Sequence, residues 1–403
     1  MGSTAAVAQI FMLLQSLMLA RWFGPGSYAI YVANFNLCTL SVFLVNWGID
    51  TWLLRTASEI ENPQKLFGTV ILLKVIFGII WGFLLIFLAP KFKPDLYQPA
   101  VLSLAILGTF FESLMNTFYV AFFTTNRFKT SSIILISART LRLLSTILLI
   151  HFSNQNLLTF VTLRVVIDGL ILIITWFQIK PIFIFRELIN LPKTFSLALP
   201  YSGSDFLALV YQQADVNLVS ILSSQFDIIS FYSLAISAVN MFFAVIQGLL
   251  NVVIPYLTRL FIDNKEKLKI YSIFSLAGFS LLGFLFFLLV QYFGQNVIQI
   301  ILGPNYVNVY TYLNLIKPIF ILRSLTFGIT GVLIAINKQK QRLIPQAISD
   351  IFKVIGSLLV FPYLNIFGVS RIYILSEIVL LCGYCWVICA SLFFKNKSHL
   401  EAV

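Results

Sequence analysis

Long apolar runs, each broken by a few charged or turn-forming residues, repeat from one end of the chain to the other. A helix that crosses a bilayer needs about 20 mostly apolar residues. Runs of that length fall at roughly 4–23, 28–52, 67–89, 98–123, 131–151, 156–178, 197–222, 229–258, 270–293, 306–336, 342–362 and 367–394, which predicts about twelve transmembrane helices. The breaks carry turn chemistry or charge: Gly24-Pro25-Gly26, Asn62-Pro63, Pro90 to Pro94, Gly303-Pro304-Asn305 and Asn337 to Arg342. Lys317-Pro318 falls in the middle of the long tenth run and predicts a kink or break there. The expected fold is therefore an all-α integral membrane protein with almost nothing outside the bilayer.

Composition removes the soluble alternative. Of 403 residues, 59% are hydrophobic and only 10% charged, with a mean hydropathy of +0.94. A soluble domain carries about 25% charged residues to build its solvated shell. The formal net charge of +12 raises the question of a nucleic-acid partner. Placement answers it. With both termini cytoplasmic, the inner loops hold Arg55, Lys65, Arg127, Lys129, Lys180, Arg186, Lys193, Arg259, Lys265, Lys267, Lys269, Lys338, Lys340, Arg342, Lys395 and Lys397. The outer loops hold Arg21, Lys91 and Lys93. That asymmetry is the positive-inside rule, and no nucleic-acid surface is needed.

No loop is long enough for a folded soluble domain. The longest inner one carries Ile182, Phe183, Ile184, Phe185, Leu188, Ile189 and Leu191 among its charges and reads as an amphipathic interfacial segment. It separates an N-terminal lobe, 1–178, from a C-terminal lobe, 197–403, with the linker at 179–196 and six helices on each side. The lobes share a faint likeness. Ser27-Tyr28-Ala29-Ile30-Tyr31 parallels Ser230-Phe231-Tyr232-Ser233, and Arg55 closing the second helix parallels Arg259 closing the eighth. Six-plus-six repeats related by an axis along the membrane normal are a transporter plan.

Intramembrane charges are expensive, about 2.5–3.5 kcal/mol each on the insertion scale, and normally face other helices or a wet cavity. Within the expected spans lie Lys74, Arg139, Arg142, Arg164, Lys317, Arg323, Lys353 and Arg371, with Asp50, Glu112, Asp168, Asp205, Asp215, Asp350 and Glu377. The seventh helix carries a stripe of polar or small residues at helical spacing, Tyr201, Asp205, Ala208, Gln212 and Asp215. The eighth carries Ser233, Ser237, Asn240, Ala244, Gln247 and Asn251 in the same way, with Arg259 beyond. Two such stripes either line an aqueous cavity or serve as interhelical hydrogen-bond glue; their length favours the cavity. Arg164 with Asp168, and Asp350 with Lys353, are spaced to neutralise each other within one helix. Lys74 lies near enough to the inner surface for its stem to snorkel. Arg139 and Arg142 have no acid on their own helix; they pair with Glu112 or Asp168, or they meet an anionic ligand.

Several chemistries find no support. Cys38 stands alone, and Cys382, Cys385 and Cys389 fall inside one apolar helix without a histidine, so their spacing reads as packing rather than a metal or redox site. His151 and His399 are too few for imidazole chemistry. The N-terminus has no cleavable signal or myristoylation pattern. There is no nucleotide-binding glycine loop and no large outer loop with paired carboxylates. No cofactor and no enzymatic activity are expected; a secondary transporter or flippase is the simplest class.

The chain resembles the polysaccharide-transport family, the lipid-linked oligosaccharide or O-antigen flippases of the multidrug/oligosaccharidyl-lipid/polysaccharide exporter superfamily. The residues that carry the likeness begin with Leu19-Ala20-Arg21-Trp22-Phe23-Gly24-Pro25-Gly26-Ser27-Tyr28-Ala29-Ile30-Tyr31 and Gly48-Ile49-Asp50-Thr51-Trp52-Leu53-Leu54-Arg55. It continues through Ala198-Leu199-Pro200 to Asp215, Phe231-Tyr232-Ser233-Leu234-Ala235 and Pro255-Tyr256-Leu257-Thr258-Arg259-Leu260, then Gly303-Pro304-Asn305-Tyr306 and Ile336-Asn337-Lys338-Gln339. It departs in two places. The basic stretch before the first helix is almost absent, as for a trimmed start, and the chain ends soon after the twelfth helix where some relatives add two more. The resemblance implies two six-helix lobes around a central cavity lined by helices one, two, seven and eight. It also implies alternating-access transfer of a polyprenyl-diphosphate-linked oligosaccharide across the cytoplasmic membrane, for polysaccharide or lipopolysaccharide biosynthesis. Under that reading Arg21, Arg55, Arg139, Arg142 and Arg259 are candidates for the diphosphate. Asp205, Gln212, Asp215, Asn240, Gln247 and Asn251 would meet sugar hydroxyls or water. The polyprenyl tail would stay among the membrane lipids, and Asp205 or Asp215 would be candidates for a coupling proton or sodium ion. Two alternatives stand beside it: an ion-coupled drug or metabolite antiporter of the same superfamily, and a polytopic glycosyltransferase or glycan polymerase.

Overall fold

The computed structural model describes residues 2–57, 63–152, 155–179 and 191–393, and these are helical with no strand among them. The helices are α1 (Gly2–Ser41), α2 (Phe43–Asn46), α3 (Ile49–Thr56), α4 (Pro63–Phe92), α5 (Pro99–Thr124), α6 (Phe128–His151), α7 (Leu157–Ile179), α8 (Leu191–Leu222), α9 (Phe226–Asp263), α10 (Lys265–Leu302), α11 (Val307–Ile316), α12 (Ile319–Ala335) and α13 (Gln339–Phe393). In a medium without water every backbone amide needs a partner inside its own segment, and helices satisfy this without help from neighbours.

The spans follow from where those helices break. Gly24, at φ +77°, and Pro25 turn the chain inside α1, so that α1 holds the first span and most of the second. Asn365, at φ +49°, divides α13 in the same way. The tenth span bends by 50° between α11 and α12, at the Lys317-Pro318 position expected from the sequence. Among the described residues, eight helices are individually long and apolar enough to cross a membrane, nine with the bent pair. Two of these, of 40 and 52 residues, each hold two spans, giving eleven. α8 is the twelfth. Its Lys193, Asp205 and Asp215 lower its hydropathy, yet its inner residues pack as a span against α2, α3 and α4.

The second span departs from expectation. The stretch 28–52 was expected to be one helix; α1 instead ends at Ser41, α2 lasts four residues, and Trp47 (φ +39°) and Gly48 (φ +73°) take left-handed conformations before α3 resumes. Only Gly48 announces such a break in the sequence.

The chain divides into two compact units, one from Val7 to Ser233 and one beginning at Leu234, so the division falls inside α9. In the first unit α5 is the central helix, packed on α3, α4, α6 and α7. Its apolar core includes Ile49, Trp52, Phe67, Val70, Met115, Phe118 and Phe122. In the second, α12 lies against α10 and α13. Phe242, Phe286 and Phe320 cluster there with ring centroids 4.4 to 5.2 Å apart, Phe242 stacked on Phe286 and edge-on to Phe320. The apolar side chains left exposed, such as Ile79, Phe83, Phe87, Phe274 and Leu359, are those expected to face lipid. Of the expected linker at 179–196, residues 180–190 lie outside the described residues.

Candidate functional site

The first polar cluster forms where the broken second span meets α8. A Cβ built on Gly48 would stand 2.5 Å from the backbone nitrogen of Ser202 and 2.6 Å from the carbonyl carbon of Tyr201. Only glycine allows that approach, and only glycine takes its φ without strain. One turn on, Thr51 Oγ1 donates to both carboxylate oxygens of Asp205, at 3.1 and 3.0 Å. Arg55 Nη1 donates to the Tyr201 hydroxyl at 3.2 Å. Two members of the α8 stripe, Tyr201 and Asp205, therefore act as interhelical glue in this conformation.

Behind this seam sits Lys74 of α4, fully buried, with Nζ donating to Asp50 Oδ1 at 2.9 Å and Oδ2 at 2.7 Å. The expectation that Lys74 snorkels to the surface is corrected. Asp50 lies in the first turn of α3 and holds the ammonium inside the protein, where an ion pair with added hydrogen bonds offsets the cost of burial.

The second cluster joins α5, α6 and α7. Arg142 Nη1 lies 2.7 Å from Glu112 and Nη2 lies 2.5 Å from Asp168. Glu112 also meets Arg139 at 3.4 Å and Arg164 at 3.6 Å. Arg164 donates to the Tyr31 hydroxyl and lies 3.8 Å over the Phe35 ring. Of the openings left by the sequence, Arg139 and Arg142 take the paired one. The expected pairing of Arg164 with Asp168 within α7 is loose, at 4.0 Å, because Asp168 turns to the Arg142 fork instead. Gln15 of the first span was not anticipated; it donates to the Arg142 carbonyl and to Thr146.

In the second unit Arg323 and Glu377 pair at 2.6 Å, with Arg323 also 5.2 Å from the rings of Phe243 and Tyr373. Lys353 lies 5.4 Å over the other part of that arrangement, the Tyr373 ring, and Asp350 is buried on the same helix.

The remaining candidates are spread out. Arg21 and Arg259 are exposed; Gln212 is exposed, whereas Asp215 is buried. Asn240 is half-buried, and the exposed Gln247 donates to Asn251 at 3.2 Å along α9. The α9 stripe thus grades from buried at Ser233 to exposed at Gln247 and Asn251. Outside the spans, Lys93 donates to the carbonyls of Ser220, in the last turn of α8, and Ser223, just after it, and burial holds its ammonium below the usual lysine range. All four cysteines are free, and no metal-ligating group of side chains occurs among the described residues.

Two units of packed helices with charged clusters inside the spans define a polytopic membrane protein. The fold is shared with solved structures throughout its length. Lipid II flippase MurJ, in an inward closed conformation, superposes with a TM-score of 0.77 at 15% identity, covering 96% of this chain and 87% of that one. A multidrug resistance MATE family transporter of the MOP superfamily, facing inward, gives 0.74 at 13% identity, with 97% and 96% covered. A MOP superfamily transporter from Pyrococcus furiosus gives 0.63 at 12% identity, with 96% and 93% covered. No individual curated protein matches the chain by sequence. The family profile described as "Polysaccharide biosynthesis protein" matches residues 18–311, and the chain belongs to that family. Its fold is the fold of those flippases and transporters.

Proposed function

We propose that this protein is a flippase that moves a polyprenyl-diphosphate-linked oligosaccharide across the cytoplasmic membrane by alternating access, for synthesis of a cell-surface polysaccharide. The observation that carries the reading is a conjunction. A polysaccharide-biosynthesis family profile spans residues 18–311 of a chain whose fold is shared with a lipid II flippase. The physical need is clear, since a diphosphate and its sugars must cross roughly 30 Å of hydrocarbon that solvates neither.

In this reading both termini are cytoplasmic, and the lobes are 1–178 and 197–403. Arg21, Arg55 and Arg259 engage the diphosphate at the mouths of the path, because each is an exposed cation at a span end. Arg139 and Arg142 contribute from the cluster around Glu112. Gln212, Asn240, Gln247 and Asn251 meet sugar hydroxyls or water; Asp205 and Asp215 are acidic groups suited to a coupling proton or sodium ion. The test is depletion of the protein in its own cells. Surface polysaccharide should fall while its lipid-linked precursor accumulates in the inner leaflet, and neutral substitutions at Arg21, Arg55 and Arg259 should reproduce the effect. Unchanged export in every arginine variant would remove the diphosphate role.

The second reading is an ion-coupled antiporter of drugs or metabolites, supported by the equally extensive likeness to MATE transporters. It predicts efflux of cationic dyes from cells that express the protein, with surface polysaccharide unaffected by its loss.

A further inference from the structure

The break in the second span encloses a pocket of oxygen atoms, and the ammonium of Lys74 fills it. Asp50 presents both carboxylate oxygens to Nζ, at 2.9 and 2.7 Å. The backbone carbonyl of Ser113 accepts at 3.1 Å, and the Ser113 hydroxyl oxygen lies at 3.4 Å. The neighbouring hydroxyl protons all point elsewhere. Ser113 Oγ donates to Asn46 Oδ1 at 2.6 Å, and Thr117 Oγ1 donates to Asp50 Oδ1 at 2.9 Å. What faces the nitrogen is therefore lone pairs alone, contributed by α3 and α5. Such a ring of hard oxygens beside an interrupted helix is the chemistry with which membrane proteins hold small cations.

A lysine ammonium is a compact point charge on a flexible stem, the side chain most like a free monovalent cation. We propose that this pocket is a small-monovalent-cation site whose cation is covalently attached as Lys74, so that removing the side chain opens the site to sodium, potassium or methylammonium. The Lys74 side chain is 0% exposed, but that of Asp50 is 20% exposed, so the pocket has an edge through which a free ion reaches the vacated position. The demand for a cation is strong: without one, Asp50 is a carboxylate deep in a span with no counter-charge. With the tethered cation in place, the wild-type site has no need of ions from solution.

The experiment uses the full-length protein in detergent and compares wild type, Lys74→Ala and the neutral pair Asp50→Asn/Lys74→Met. Thermal unfolding is followed as sodium, potassium or methylammonium chloride replaces choline chloride at constant ionic strength. Lys74→Ala should gain at least about 3 °C in Tm, saturably, with one of the small cations. Wild type and the neutral pair should show no saturable response. A folded Lys74→Ala protein whose Tm ignores all three cations, or a response of equal size in wild type, overturns the proposal. Should Lys74→Ala give no folded protein in choline, preparation in a small cation is expected to restore it and the neutral pair to fold in either salt. Failure of that rescue, or of the neutral pair to fold, likewise overturns it.

Discussion

The two units solve the same electrostatic problem differently. In the second, Arg323 and Glu377 form a sealed pair, with side chains only 4% and 1% exposed. In the first, three guanidiniums converge on Glu112, whose side chain is 31% exposed, while Arg142 reaches past it to Asp168. One arrangement is a rivet between α12 and α13. The other is a web with an open edge, in which Arg139, Arg142 and Arg164 outnumber Glu112 and Asp168. The lesson concerns where charge is held for packing and where it is held within reach of something else. A sealed pair offers no ligand access. An open web keeps part of its charge accessible, and under the proposed function Arg139, held to Glu112 at 3.4 Å and 20% exposed, is the member that would meet the diphosphate.

The sharpest way to break the contrast is to cut the sealed pair. Arg323→Met alone strands Glu377 in an apolar interior and should cost about 3–5 kcal/mol. Thermal unfolding in detergent should show a large drop that Arg323→Met/Glu377→Met recovers. No recovery in the double variant would mean that Arg323 holds the unit through Phe243 and Tyr373 instead.

Arg142→Leu should cost less, about 2–3 kcal/mol, because Arg164 remains 4.0 Å from Asp168 to share the load. Equal losses for Arg142→Leu and Arg323→Met would erase the difference between web and rivet.

At the α3–α8 seam, Gly48→Ala adds a Cβ where 2.5 Å separates it from the Ser202 nitrogen. Strain at this φ and the close backbone together should cost about 1–3 kcal/mol, read as faster limited proteolysis near residues 47–56 with the rest of the protein protected.

The smallest effect is expected at the open edge. Glu112→Gln should cost only about 1 kcal/mol, since the isosteric amide keeps an oxygen acceptor toward Arg139 and Arg142 and Arg142 retains Asp168. If the web meets the substrate, that variant should still change the concentration dependence of transport more than it changes Tm.

Much of this fold was legible in the chain. Apolar runs of span length, the Gly24-Pro25 turn and the Lys317-Pro318 break need only local physics, and the structure places them where the pattern does. The family resemblance in the segments from Leu19 to Leu260 is matched by the family profile over 18–311. The polar groups were legible by identity but not by partner. Glu112 and Asp168 were both open to Arg142, and Arg142 takes both. The four-residue spacing of Arg164 and Asp168 suggested a pair, but that spacing fixes only which helix face two side chains share. Asp50 and Lys74 lie on different helices, and no spacing within either one announces their contact.

The sequence by itself determined that the chain spans a membrane about twelve times, where most of those spans begin and end, and which charges lie within them. The reason is that transfer of a residue between water and hydrocarbon depends mainly on its own side chain and its near neighbours. Only the tertiary structure decided that the second span breaks at Trp47 and Gly48, and that Lys74 turns inward to Asp50 rather than outward to the surface. It alone decided that one unit gathers its charges into an open web. Those outcomes turn on distances between side chains far apart in sequence, because a buried charge settles with whichever opposite charge the packing brings within a few ångströms.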